Sequence, residues 1–148
     1  CSSEQGLDWN LLEFKEHQGV LQTVTDLNRL YSQSPALWER DSDPRGFEWI
    51  DSGNSESNIF SWIRWSDHGD CMAFIANFSP EVRHDFPLAL PKPGVWKEVL
   101  NTDSSHYGGS GVGNLGKIVA KLDECSTKPA LARITVPPLA AVFFEFTP

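Results

Sequence analysis

The 148-residue chain carries twenty acidic against twelve basic side chains, a net charge of −8, and so lacks the basic footprint that nucleic acid or an anionic membrane requires. No apolar run reaches the length of a membrane span, no secretory leader pattern is read at the start, and neutral partners such as carbohydrates remain allowed. The length fits one domain with a short appendage, which can bury about 70% of its unfolded surface.

The chain opens at Cys1 without a methionine, and its first forty residues are patterned unlike the rest. GVLQTVTDLNRLYSQS (19–34) places Val20, Val24, Leu27 and Tyr31 on one helical face, with Leu30 alongside and Asp26, Asn28 and Arg29 opposite. Pro35 ends this helix, because the residue before a proline is pushed out of the α region. A lone helix needs a partner for its apolar face. Either it lies against the rest of the chain, or its partner lies elsewhere.

After Pro35 the period changes. FEWID (47–51), NIFSWIRW (58–65), CMAFIANF (71–78), FPLAL (86–90), WKEVL (96–100), KIVAKL (117–122), ALARITV (130–136) and LAAVFFEF (139–146) read as short strands separated by turn clusters such as DSGNSES, SDHGD and PKPG. Met72, Phe74, Ala76 and Phe78 share one face, as do Val142, Phe144 and Phe146, and both sets are expected in a core. The fold class is therefore all-β, an antiparallel Greek-key sandwich of about eight strands with one α-helix in front.

Several residue groups invite a chemical reading. Asp41, Asp43, Glu48 and Asp51 cluster beside turn residues and read as a solvated rim rather than a catalytic pair. His68, Asp70 and Cys71 match no zinc spacing, so no metal or other cofactor is expected. Cys1, Cys71 and Cys125 are odd in number and too few for a disulfide framework, which points to a reducing, cytoplasmic setting. Neither Ser79 nor Ser110 lies in a nucleophile elbow. GVGNLG (111–116) spells G-x-G-x-x-G, but no strand runs straight into it and a strand rather than a helix leaves it, so it reads as a long surface turn. Trp62 and Trp65 stand three apart in one strand and so point to opposite faces, which would leave one of them exposed or covered by another domain.

LDWNLL (7–12), HQGV (17–20), DLNRLYSQSPALWERD (26–41), GFEWID (46–51), NFSPEVR (77–83), PGVWKEVLNTD (93–103), YGGSGVGN (107–114) and VPPLAA (136–141), taken in order, resemble the C-terminal part of glycogen branching enzymes of the α-amylase superfamily. The resemblance implies a parent with a catalytic (β/α)8 barrel followed by a β-sandwich. Residues 1–39 would be the barrel's last βα loop and last helix, and residues 40–148 the sandwich. The parent would transfer an α-1,4-glucan segment to a 6-hydroxyl, making α-1,6 branches with retention. Its two carboxyl groups would lie upstream of residue 1, so this chain alone is expected to be inactive, with no catalytic residue of its own.

The partners this implies are α-glucan (glycogen or amylose) in the parent and the barrel as intramolecular partner, with no nucleic acid and no membrane. Dimerisation of the chain through residues 19–34 is a further expectation. Glucan contacts are placed at Asp8 and Trp9, on a loop at the barrel's catalytic face, and at Trp62, Trp65 and Trp96. For each tryptophan the competing reading is core or interdomain packing. Two roles therefore stand side by side: a brace for the barrel, and an accessory module with its own glucan surface.

Overall fold

The computed structural model describes residues 6–52 and 57–148; Cys1 and the middle of the DSGNSES turn lie outside the described residues. Trp9–Glu13 forms a 3-10 turn that leads into helix α1 (Lys15–Gln33). The helix starts one turn before the apolar stripe, because Lys15, Glu16 and Gln18 are good helix formers that no hydrophobic pattern marks. It ends where Pro35 dictates, and Pro35–Leu37 continues as a 3-10 turn.

Eight strands follow: β1 (Phe47–Asp51), β2 (Ile59–Trp65), β3 (Cys71–Asn77), β4 (Arg83–Leu90), β5 (Gly94–Asn101), β6 (Lys117–Leu122), β7 (Ala130–Val136) and β8 (Ala140–Thr147). All their pairings are antiparallel, in the order β1-β2-β3-β8-β5-β6-β7-β4. Strand β6 belongs to two layers. Lys117–Ala120 pair with β5, whereas Lys121 and Leu122 pair with β7. The sheet thus turns over on itself, and β8 is inserted between β3 and β5 while β4 crosses to the other layer.

The enclosed core takes Ile59 and Ile63 from β2, Ala73 and Ile75 from β3, Leu88 and Leu90 from β4, Trp96 from β5, and Val142 and Phe144 from β8. Each large side chain buried here contributes roughly 1.5–3 kcal/mol. Asn77 ties two loops at one end, its amide donating to the carbonyls of Glu81 and Pro137 while its oxygen accepts from the Ser79 N–H.

Every residue of β3 is buried, because its outer face is covered as well. Met72 and Phe74 pack there with Ala36 and Leu37 of the turn after α1, Leu30 of the helix, Trp62, Val99 and Phe143. The stripe read for β3 therefore continues a second, smaller core, except at its end. Phe78 stands beyond the strand, 67% exposed, with Phe60 edge-on to it at 5.8 Å.

Helix α1 lies against the sandwich, but not by the face its pattern predicts. Leu27 is half-buried and Leu30 joins the outer core, while Val20, Val24 and Tyr31 are exposed. Asp26, expected on the outward side, instead accepts a hydrogen bond from Tyr107 of the glycine-rich loop.

Candidate functional site

Among the described residues, exposed aromatic side chains mark two candidate surfaces. The first runs from the 3-10 turn along α1: Leu7, Trp9, Leu11, Phe14, Val20 and Val24 are all exposed. Trp9 is 69% exposed, and Asp8, immediately before it, is exposed and caps nothing with its side chain. The turn is anchored to the helix by Gln18, whose amide donates to the Leu12 carbonyl at 2.8 Å. A flat indole beside a free carboxylate can stack on the apolar face of a sugar ring and accept from its hydroxyls. The same residues can equally bury themselves against protein, since many exposed large apolar side chains in one segment suit an interaction surface.

The second surface lies on β1, at the edge of the sheet. Phe47 and Trp49 alternate onto its outer face, 39% and 50% exposed, with their rings edge-on at 5.0 Å. Trp49 is directly opposite Trp62 across the β1–β2 pair, and their rings meet at 6.2 Å. Behind them Trp62 lies parallel to Phe74 at 5.3 Å, and Phe74 meets Phe143 at 4.5 Å. An aromatic ladder thus leads from the outer core out to an exposed indole.

This ladder re-sorts the tryptophans. Trp62 and Trp65 do face opposite ways, but both are half-buried and covered by this chain's own residues. The Trp65 indole N–H donates to Glu48 at 3.1 Å, and Lys92 lies over its ring at 5.7 Å. The expectation of a glucan contact at Trp96 is corrected: its side chain is fully buried in the main core, edge-on to Phe146, and its N–H donates to the Lys92 carbonyl at 3.0 Å. It has no surface to offer a sugar. Phe47 and Trp49 were not singled out from the sequence as a site. The i, i+2 aromatic pair was the available signal, but which strand forms the sheet edge is not written locally.

The carboxylates are engaged one by one. Asp41 pairs with Arg64 at 2.5 Å, Asp43 with Arg45 at 2.6 Å, and Glu48 with Lys128. The Arg45 side chain and backbone N–H together hold the Asp43 carboxyl down at about 2. Neither Asp43 nor Glu48 is held neutral as a general acid would be: Arg45 lowers the one carboxyl and Lys128 the other. His68 and Asp70 belong to the β2–β3 turn, where the Ser66 hydroxyl accepts from the backbone N–H of both. Among the described residues no three His, Cys, Asp or Glu side chains come together as a metal site.

The glycine-rich loop is an internally bonded structure rather than a phosphate cradle. The Asp103 carboxylate accepts from the backbone N–H of Ser110 and of Val112, each at 3.0 Å, and from the Ser110 hydroxyl at 2.6 Å. The Gly111 N–H goes to the Asp103 carbonyl, and the Asn114 N–H to Glu98. A phosphate needs free N–H groups pointing at it. Here the N–H groups of Gly111, Val112 and Asn114 are occupied, and the carboxylates of Asp103 and Glu98 face the loop where an anion would sit.

The comparisons with known proteins agree with this architecture. Residues 49–147 match the family described as alpha amylase, C-terminal all-beta domain. The chain is 44% identical over 144 residues to a 1,4-alpha-glucan branching enzyme of Mesorhizobium japonicum, which covers 97% of this chain and 19% of that protein. The corresponding enzyme of Bradyrhizobium diazoefficiens is 46% identical over 95% of this chain and 19% of its own length, and that of Cutibacterium acnes 45% over 96% and 22%. The chain therefore spans about a fifth of the length of the curated relatives it matches. With eight antiparallel strands among the described residues and a family match over residues 49–147, the chain belongs to the alpha-amylase C-terminal all-beta domain family.

Proposed function

We propose that this chain is the closing part of a 1,4-alpha-glucan branching enzyme, with residues 1–39 completing the catalytic barrel and residues 40–148 bracing it as a sandwich. The observation that carries this reading is the similarity to branching enzymes across 95–97% of the chain. The exposure of Leu7, Trp9, Leu11, Phe14, Val20 and Val24 supports it, because large apolar side chains left uncovered call for a cover. In the parent, a carboxylate outside this chain would attack the anomeric carbon and break the α-1,4 bond, while a second carboxylic acid protonates the departing oxygen. The glucan segment would then pass to a 6-hydroxyl. The sandwich supplies position rather than chemistry, in a cytoplasmic setting, and a second copy of the chain is the competing cover for α1.

The test is to express this chain and the upstream remainder of its parent separately, then mix them. Branching of amylose, read as loss of the iodine–glucan colour, should need both parts. Branching by this chain alone would refute the reading, as would full activity of the remainder alone. Sedimentation of the isolated chain tests the competing cover, a concentration-dependent dimer lost on Val20→Asp being its signature.

A second role is favoured by the exposed Trp9 and by the Phe47–Trp49 pair: a glucan-binding surface on the chain itself. Retardation in native gels containing glycogen or amylose, against a non-binding control protein, tests it. Unchanged mobility would leave bracing as the sole role.

A further inference from the structure

The glycine-rich loop aims its tyrosine, Tyr107, at helix α1. The loop is shaped to hold that side chain still. Asn101 grips both ends of it, accepting from the Asp103 N–H at 2.9 Å and donating to the Val112 carbonyl at 2.8 Å. Asn114 ties the loop's exit to the sheet, donating to Glu98 and to the Thr135 carbonyl and accepting from the Thr135 N–H. At Gly109 an added Cβ would stand 2.2 Å from the Asp103 carbonyl oxygen, so only glycine lets the chain fold back this tightly.

The helix meets Tyr107 at two points. At Gly19, an added Cβ would lie 2.2 Å from the Tyr107 carbonyl oxygen and 2.9 Å from its carbon, a backbone-to-backbone approach that any side chain would block. Seven residues on, the Tyr107 hydroxyl donates to Asp26 at 2.7 Å. Gln22 and Arg29, on the same face, hold that carboxylate at 3.1 and 3.4 Å. One contact excludes everything but glycine and the other is directional, so together they set both the height and the rotation of α1. The 3-10 turn with Trp9 rides on the start of this helix, through Gln18 and through the Phe14–His17 edge contact.

We propose that Tyr107, Gly19 and Asp26 form a clasp by which the glycine-rich loop sets the position of α1, and with it the Asp8–Trp9 segment, against the sandwich. They are positioning residues, and the sandwich keeps its fold when the clasp opens. Only the consequence for glucan rests on the binding role proposed above.

The experiment labels the six tryptophans of the full 148-residue chain with 5-fluorotryptophan, assigns Trp9 by Trp9→Phe, and compares Tyr107→Phe and Gly19→Ala by fluorine NMR and amide exchange. In both variants the Trp9 resonance should shift or broaden, and α1 amides should lose protection about tenfold. The Trp96 resonance and the β3 and β8 amides should not change. An unmoved Trp9 signal with unchanged α1 exchange in both variants would overturn the clasp. Equal loss of protection in β3 and β8 would overturn it too, by making the contact part of the global fold. The same samples are run in amylose gels. If the unaltered chain is not retarded, the glucan role fails while the NMR result still decides the clasp.

Discussion

Removing the Asp103 carboxylate should take three hydrogen bonds from the glycine-rich loop at once. Its two oxygens receive three donors within 3.0 Å, and the residue is 9% exposed. A hydrogen bond to a charged acceptor contributes about 1.5–3 kcal/mol when both partners are desolvated. Ser110 is exposed and its two freed donors reach water, whereas the half-buried Val112 N–H is left wanting. A net loss of about 2–3 kcal/mol follows for Asp103→Ala. At roughly 2–4 °C per kcal/mol for a domain of this size, the melting temperature by circular dichroism should fall about 5–10 °C. Asp103→Asn keeps the shape and one acceptor oxygen and should lose about half as much. A melting temperature for Asp103→Ala within about 2 °C of the unaltered chain would refute the assignment of the loop's order to this carboxylate.

Trp62→Ala should destabilise by about 2–3 kcal/mol in urea unfolding, less than a fully buried tryptophan because Trp62 is half-buried, whereas Trp49→Ala should cost under about 1 kcal/mol and show its effect in amylose-gel mobility instead. At alkaline pH, burial pushes the Cys71 thiol up from 9.0 to about 11, and burial with the Asp26 bond pushes Tyr107 from 10.0 to about 12. Both groups hold their protons longer folded than unfolded. Their contributions are therefore complete below pH 9 and fade as pH rises toward 11 and 12, so the urea midpoint should fall across that window. At neutral pH a thiol reagent should modify the exposed Cys125 promptly and reach Cys71 only on unfolding. In acid, hydrogen bonds from Tyr107 and Gln22 hold the Asp26 carboxyl below its ordinary 3.8. The clasp should accordingly survive above that value and loosen as pH falls through the lowered one, read as a shift of the Trp9 fluorine signal.

The strands were legible because each obeys a local rule. FEWID, KIVAKL and ALARITV match β1, β6 and β7 to the residue, and the others differ by one to three positions at their ends. The opposed faces of Trp62 and Trp65 followed from counting alone, because a strand's period is two. What was not legible depends on contacts distant in sequence. Trp96 is buried because β5 lies between β8 and β6, and Trp49 is exposed because β1 has a neighbour on one side only. Strand order decides both, and no window of ten residues contains it. The orientation of α1 was hidden for a different reason. An apolar stripe is read as the buried face, yet here Gly19 and Asp26 face the sandwich while Val20 and Val24 face away.

That inversion makes sense of the glycines. On the reading proposed above, α1 keeps its apolar stripe for another partner, and it is then held to the sandwich largely by its polar side. The means available there are hydrogen bonds and close backbone approach, added to the packing of Leu30 on the outer core. Gly19 permits the approach, Asp26 accepts the bond, and Tyr107 supplies both the carbonyl and the hydroxyl that they meet. A loop presenting one tyrosine at a fixed height must be rigid without a core of its own. The crowded backbone at Gly109 and the saturated carboxylate of Asp103 provide that rigidity. The features that disqualify GVGNLG and its surroundings as a phosphate site, occupied N–H groups and inward carboxylates, are therefore the ones that let the loop hold a helix.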